Sequence, residues 1–151
     1  MKRIYPSRPI IGVGGVIIKD NNIVLIKRGT PPGYGKWSIP GGVVRWGESL
    51  NLALIREIKE EIGIKIKVEE IIDVVDRIYL DKKRYIKYHY IVVDYLCFAK
   101  NGKLLPASDV LEANWVPISE LPYFKIPLKA KAIIKKAKEM YETISFSNKM
   151  S

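Results

Sequence analysis

Residues 42–64 read GVVRWGESLNLALIREIKEEIGI, and the interpretation of the whole chain starts from this stretch. Ser49 is a good N-cap residue and Gly63 is a good residue for ending a helix, so a helix is predicted between them. At about 100° per residue, one face of this helix is apolar. The residues on that face are Leu50, Leu54, Ile58 and Ile62.

Three glutamates of this helix, Glu57, Glu60 and Glu61, stand at positions i, i+3 and i+4. Their carboxylates therefore crowd together, and they overlap the edge of the apolar face. Carboxylates in such positions repel one another and lose hydration, and both effects cost free energy. A divalent cation with oxygen ligands would relieve both. The alternative, and the commoner explanation for an isolated cluster of this kind, is a solvated acidic flank of a helix.

The spacing within residues 42–64 resembles the Nudix box at every defining position. Gly42 is followed by five residues and Glu48, and then by seven residues and the run Arg56-Glu57-Ile58-Lys59-Glu60-Glu61-Ile62-Gly63-Ile64. The chain is identified on this basis as a member of the Nudix hydrolase superfamily. The resemblance implies an α/β fold of the Nudix type, an α/β/α sandwich with a mixed β-sheet between helices.

The resemblance also implies the residues of a metal site. Mg²⁺ is the expected ion, and Mn²⁺ is expected to substitute for it. Arg56 lies one position before the acidic cluster, and it is expected to orient carboxylates by pairing with Glu48 or Glu60. The implied metal ligands within and beside the box are the backbone carbonyl of Gly41 and the carboxylates of Glu57, Glu60 and Glu61.

Members of this superfamily commonly recruit one more acid from a late loop, as a metal ligand or as a general base. Glu112 is our first candidate, because it lies three residues before Trp115 in a predicted loop over residues 106–114. Asp109 of the same loop is the second candidate. An ordinary loop carboxylate without a catalytic role is an equally good interpretation of Glu112.

Three further residues are candidates for substrate binding. Arg28 ends a predicted strand just before the GTPPGYG loop, where related enzymes often have an arginine that contacts phosphate. Tyr34 of that loop could stack on a base, whereas Trp37 is interpreted as core packing. Arg45 adds positive charge at a position where many relatives have an acid. The single histidine, His89, is interpreted as a strand residue and not as a base.

The remaining elements follow from periodicity and turn signals. An irregular arm is predicted over residues 1–9 and a frayed tail over residues 142–151. One domain is expected over the whole chain. Predicted strands cover residues 10–19, 23–28, 64–80, 84–98 and 115–116, a turn or short helix covers 117–121, and a final helix covers 128–141.

Composition narrows the class of protein further. The chain has 151 residues, of which 26 are basic and 16 acidic, giving a net charge of +10. This charge suits an anionic partner, but much of it lies in the predicted final helix, which is interpreted as having a solvated lysine face, so nucleic acid is not the expected partner. No apolar run is long enough to cross a membrane and no signal segment is recognised, so the cytoplasm is the expected compartment. Cys97 lies in an apolar run and is interpreted as a buried, inert thiol.

Within the superfamily, the segments around the box most resemble the ADP-ribose pyrophosphatase branch. The expected activity is therefore cleavage of ADP-ribose to AMP and ribose 5-phosphate. The alternatives are a MutT-like nucleoside triphosphate pyrophosphatase, a hydrolase of dinucleoside polyphosphates or of RNA 5′ ends, and a non-catalytic nucleotide sensor. The intact box argues against the sensor. Because ADP-ribose-cleaving relatives are usually dimers, a homodimer is an expected state.

Overall fold

The computed structural model of the protein describes residues 2–107 and 109–150. This part of the chain forms strands, two α-helices and a short 3-10 helix. In chain order the elements are β1 (Ile10–Lys19), β2 (Asn22–Arg28), β3 (Trp37–Ser38), β4 (Gly41–Val43), α1 (Leu50–Ile62), β5 (Ile66–Leu80), β6 (Ile86–Ala99), β7 (Val110–Pro117), the 3-10 helix (Ile118–Tyr123) and α2 (Leu128–Met150).

The strands form one mixed sheet. Its main order is β3-β2-β1-β6-β5, with β4 paired to β1 and β7 paired to β2. The β1–β6 pair is parallel, and the other pairs are antiparallel. One apolar cluster packs α1 against one face of the sheet, and a second cluster packs α2 against the other face. This arrangement confirms the predicted α/β sandwich with a mixed sheet between helices.

Helix α1 begins and ends where the sequence predicts. The side chain of Ser49 accepts a hydrogen bond of 3.2 Å from the backbone N–H of Leu52, which satisfies one free donor of the first turn. Gly63 takes a left-handed conformation with φ of 76°, which glycine adopts at little cost. The buried residues of the helix are Ala53, Leu54, Ile58 and Ile62. The apolar face therefore fixes the rotation of α1, and with it the direction of the three glutamates.

Cys97 lies near the C-terminal end of β6 and is fully buried. Burial raises the pKa of its thiol to about 12, because an apolar environment disfavours the thiolate. The predicted buried position is confirmed, and a thiol with this pKa is a poor nucleophile at neutral pH.

Two boundaries differ from the sequence prediction. The predicted loop over residues 106–114 is wrong from Val110 onward, because β7 begins there and pairs with β2. The final helix does not end at Tyr141 as predicted. Helix α2 continues to Met150, so residues 142–150 are helical and do not form a frayed tail. Ile144 of this extension packs on the second apolar cluster, which stabilises turns that local sequence does not strongly favour. Ser108 of the loop and Ser151 of the tail lie outside the described residues.

The N-terminal arm is irregular from residue 2 to residue 9, as predicted. It is nevertheless attached to the turn between β5 and β6. The backbone N–H of Tyr5 donates a hydrogen bond of 2.8 Å to the carbonyl of Lys87, at the start of β6. The side-chain hydroxyl of Tyr5 donates a hydrogen bond of 2.7 Å to Asp81 in the turn. Among the described residues, no helix has the length and apolar character needed to cross a membrane.

Candidate active site

Helix α1 packs beside β4, and two glycines of β4 allow this close approach. The backbone N–H of Gly41 donates a hydrogen bond of 3.2 Å to Glu61. A side chain on Gly42 would overlap the carboxyl group of Glu57. Only glycine at this position lets Glu57 lie against the strand. The paired glycines therefore bring two of the three box glutamates to the backbone of β4.

Arg56 connects the carboxylates of the box. Its guanidinium donates two hydrogen bonds to Glu48, of 2.7 and 2.8 Å, in the bidentate geometry that suits arginine. It also donates to Glu57 at 2.8 Å and to Glu60 at 3.2 Å. A further bond of 3.0 Å reaches the carbonyl of Val43. The predicted pairing of Arg56 with Glu48 or Glu60 is confirmed, and Arg56 makes both pairs.

Glu48 is held in its ionised form by these contacts. The hydrogen bonds from Arg56 are the main reason that its pKa falls to about 2, and the backbone N–H of Arg45 adds a bond of 3.1 Å. The same ion pairs raise the pKa of Arg56 above its ordinary value. Glu48 therefore fixes Arg56 from one side, while the metal-site candidates Glu57 and Glu60 contact it from the other.

Glu61 has a different environment, because it is partly buried and receives no arginine hydrogen bond among the described contacts. Burial raises its pKa to about 8, opposed by the hydrogen bond from Gly41. The nearby carboxylates of Asp109 and Glu57 raise the pKa further, and the charge of Arg28 lowers it. A carboxylate in this position is destabilised by its acidic neighbours, as expected of a group that meets a cation in function.

Arg28 lies at the end of β2, facing the GTPPGYG loop. Its Nε donates a hydrogen bond of 2.7 Å to the carbonyl of Pro32, and its own backbone pairs with Gly35 and Lys36. Since its charge also acts on Glu61, the guanidinium lies near the box carboxylates. The loop thereby holds a cation beside the acidic cluster.

The two candidate late acids have different surroundings. Glu112 lies on β7 opposite Lys27, with which it forms an exposed ion pair of 3.8 Å, and its side chain is 52% exposed. Asp109 lies just before β7, where its carbonyl accepts a hydrogen bond of 3.0 Å from the backbone N–H of Gly29. Of these two acids, only Asp109 affects the pKa of Glu61. The surroundings therefore favour the second candidate over the first.

Comparison with known proteins identifies the family. The model of the NUDIX domain matches residues 8–141. The chain belongs to the Nudix family. A curated relative, the ADP-ribose pyrophosphatase of Methanocaldococcus jannaschii, is 36% identical over 133 residues, which cover 88% of this chain and 75% of that protein.

Solved Nudix structures have the same fold. The MutT NUDIX hydrolase from Burkholderia pseudomallei is 30% identical, with a TM-score of 0.73 over 86% of this chain and 98% of the other. The NUDIX domain of Shewanella oneidensis NrtR, solved in complex with ADP ribose, has a TM-score of 0.72 over 90% of each chain. Its identity is only 18%, so this second likeness bears on the fold alone.

Nudix hydrolases generally use divalent metal ions, and the box residues fit such an ion in charge and donor chemistry. In residues 2–107 and 109–150, no three acidic, histidine or cysteine side chains already converge as a metal site. The available donors are all oxygens, which hard cations prefer. A cation would also offset the burial and the neighbouring acids that raise the pKa of Glu61. Arg56 bonds to Oε1 of Glu57 and to Oε2 of Glu60, so the other oxygen of each carboxylate can meet a cation while Arg56 keeps its direction.

The other residues considered in the sequence analysis are either exposed or built into the sheet. Arg45 is 65% exposed and forms a long ion pair of 3.7 Å with Glu60. Tyr34 is exposed on the loop beside Arg28. Trp37 packs edge-on against Phe124 at 5.1 Å, which confirms its predicted packing role. His89 lies within β6 opposite Ile78, as a strand residue.

Two residues with potential functional value are absent from the sequence prediction. Trp46 follows Arg45 inside the box and is fully exposed, which is unusual for such a large aromatic side chain. Asp94 lies in the apolar run that contains Cys97, and its side chain is buried. The acid in the middle of an apolar strand is the sequence signal that could have identified it.

Proposed function

We propose that the protein is a Mg²⁺-dependent Nudix pyrophosphohydrolase whose preferred substrate is ADP-ribose, cleaved to AMP and ribose 5-phosphate. The observation that carries the proposal is the 36% identity with an ADP-ribose pyrophosphatase over 88% of this chain. The complete box and the partly buried carboxylate of Glu61 support it independently.

The reaction requires attack of water on one phosphorus atom of the diphosphate. A new P–O bond to the water oxygen forms as the bridging P–O bond breaks, and the water protons are released to nearby bases or to solvent. Mg²⁺, when bound, would neutralise phosphoryl charge and lower the pKa of the attacking water. Glu57, Glu60, Glu61 and the carbonyl of Gly41 are the proposed ligands, with Asp109 or Glu112 as the late acid.

The remaining groups hold the substrate and the carboxylates in place. Arg56 fixes the direction of Glu57 and Glu60 through the hydrogen bonds described above. Arg28 supplies a positive charge next to Glu61, where it can bind a phosphate oxygen. Tyr34 and Arg45 are proposed to contact the ends of the substrate, because both are exposed and Arg45 also pairs with Glu60.

The test is a substrate panel under one buffer, pH and Mg²⁺ concentration. We expect a higher kcat/KM for ADP-ribose than for any single nucleoside triphosphate, with AMP and ribose 5-phosphate as products. Chromatography of the products identifies which bond breaks. Chelation of the metal with EDTA should abolish turnover, and Mn²⁺ should restore part of it.

The second candidate function is hydrolysis of nucleoside triphosphates with release of pyrophosphate. Arg45 favours this alternative, because an additional exposed cation could offset the greater charge of a triphosphate. The 30% identity with a MutT NUDIX hydrolase supports it as well. A clear preference for a triphosphate in the panel would establish this function instead. A homodimer and a cytoplasmic location stay predictions.

The late acid provides a separate prediction. Because Asp109 acts on Glu61 whereas Glu112 pairs with Lys27 at the surface, Asp109→Asn should lower kcat about tenfold. This is less than the ~10²-fold or more typical of a sole acid–base group, because a metal ion would share the activation of water. Glu112→Gln should leave kcat nearly unchanged and serves as the matched control. Steady-state rates with saturating Mg²⁺ measure both. The opposite ranking would make Glu112 the late acid, and no effect from either would assign water activation to the metal and the box.

A further inference from the structure

Asp94, on β6, is buried without a complete set of hydrogen bonds. Its side chain is 2% exposed, and it is the one buried charged side chain in residues 2–107 and 109–150. Its Oδ2 atom has no hydrogen-bond partner in that part of the chain. An unpaired carboxylate oxygen in the interior is costly, and an apolar residue of similar size would avoid the cost. Packing alone therefore does not explain an aspartate here.

The strand register relates Asp94 to the candidate active site. Asp94 lies opposite Gly14 of β1, and Gly14 lies opposite Gly41 of β4. Since neighbouring strands are about 4.8 Å apart, Asp94 and Gly41 are separated by about 10 Å along this row. Gly41 in turn bonds to Glu61. Because Asp94 faces α2, as Leu96 of the same strand does, a nucleotide whose phosphates lie at the box would reach it around the edge of β4.

The approach to Asp94 contains little side-chain bulk. A side chain on Gly14 would overlap Oδ1 of Asp94, so glycine at this position makes room for the carboxyl group. Cδ1 of Ile39 comes within 3.3 Å of the same point above Gly14. The end of this half-buried isoleucine therefore lies next to the carboxyl group of Asp94. A base that bonds to Oδ2 would need room that this side chain could give by moving aside.

The surroundings of Asp94 raise its pKa but leave the value below neutral pH. Burial raises its pKa to about 6, the charge of Arg77 lowers the pKa, and Asp73 raises it. Asp73 is itself paired with Lys136 of α2. At neutral pH the ionised form of Asp94 therefore predominates, and an ionised carboxylate accepts hydrogen bonds and cannot donate them.

We propose that Asp94 is a specificity-determining residue whose free carboxylate oxygen accepts a hydrogen bond from an amino group on the base of the nucleotide substrate. Adenine presents an amino donor at C6, whereas hypoxanthine presents a carbonyl oxygen at the same position, which a carboxylate repels. The inference rests on the proposed function, because it assumes that a nucleotide binds at the Nudix box. It adds to that function a reason for selecting one class of base.

The first experiment measures binding without turnover. AMP and IMP are titrated against the wild-type protein and against Asp94→Asn by calorimetry. We expect wild type to bind AMP at least about tenfold more tightly than IMP, because a buried polar group left unpaired penalises the wrong ligand. Asp94→Asn should lose most of this preference, since an amide can also donate to the carbonyl of hypoxanthine. The matched control is Asp73→Asn, which replaces the acid opposite Asp94 on β5. This variant should keep the preference for AMP.

The second experiment compares kcat/KM for ADP-ribose and for its hypoxanthine analogue. A preference for the amino base that Asp94→Asn removes and Asp73→Asn retains supports the inference. Equal binding of AMP and IMP by wild type overturns it, and this result needs no variant that folds. If Asp94→Asn loses affinity equally for both nucleotides, the inference is also overturned, and the role of Asp94 is structural. If wild type selects AMP over IMP but does not cleave ADP-ribose, the inference stands and the proposed substrate fails.

Discussion

Replacement of Glu61 by glutamine is expected to lower kcat by at least ~10²-fold, the scale of losing one strong electrostatic contact in an active site. Glu61 is partly buried, bonds to the backbone of Gly41, and lies close enough to Asp109 and Glu57 for their charges to raise its pKa. Glutamine keeps the shape and the acceptor oxygen but removes the charge. The loss therefore reports on charge and not on packing.

The measurement is a steady-state assay of Glu61→Gln over a range of Mg²⁺ concentrations, with circular dichroism to compare the folds. Removal of a repelled carboxylate from a partly buried position should not destabilise the metal-free protein. Glu70→Gln, at an exposed position of β5, is the control and should retain wild-type turnover. If Glu61→Gln keeps the wild-type kcat at every Mg²⁺ concentration of the series, Glu61 is not a metal ligand.

Arg56→Lys is expected to lower kcat/KM by about 10²-fold, although it preserves the charge. The guanidinium bonds at once to Glu48, Glu57, Glu60 and the carbonyl of Val43. A lysine ammonium has three donors and no planar fork, so it cannot reproduce this set. Carboxylates displaced by about 1 Å can lose rate on this scale.

Arg84→Lys is the matched control for this experiment. Arg84 is exposed in the turn between β5 and β6, outside the Nudix box. Its kcat/KM for ADP-ribose should change by less than about threefold, since exchanges at exposed positions away from such features have small effects. Equal effects in the two variants would mean that the geometry around Arg56 does not matter.

The box helix could be predicted from sequence because its determinants are local. Ser49 caps one end, Gly63 ends the other, and four apolar residues at helical spacing set the buried face. The direction of Glu57, Glu60 and Glu61 follows from that face. Arg56 lies within one helical turn of Glu60, so that pair could be predicted as well.

The late acid could not be assigned in this way, because its surroundings depend on a distant strand. Glu112 lies on β7, which pairs with β2 more than eighty residues earlier in the chain. Because of this pairing, Glu112 lies opposite Lys27. The same pairing brings Asp109 into contact with Gly29, where the charge of Asp109 acts on Glu61. Spacing before Trp115 carries no information about either contact.

By itself, the sequence determined the Nudix box, the helix that carries it and the set of oxygen donors available to a cation, because these depend on residues a few positions apart. Only the tertiary structure decided which late acid lies near Glu61, and that Asp94 lies opposite Gly14 in the row that leads to Gly41. Both depend on register between strands remote in sequence, and a shift of one residue would turn each side chain to the other face of the sheet.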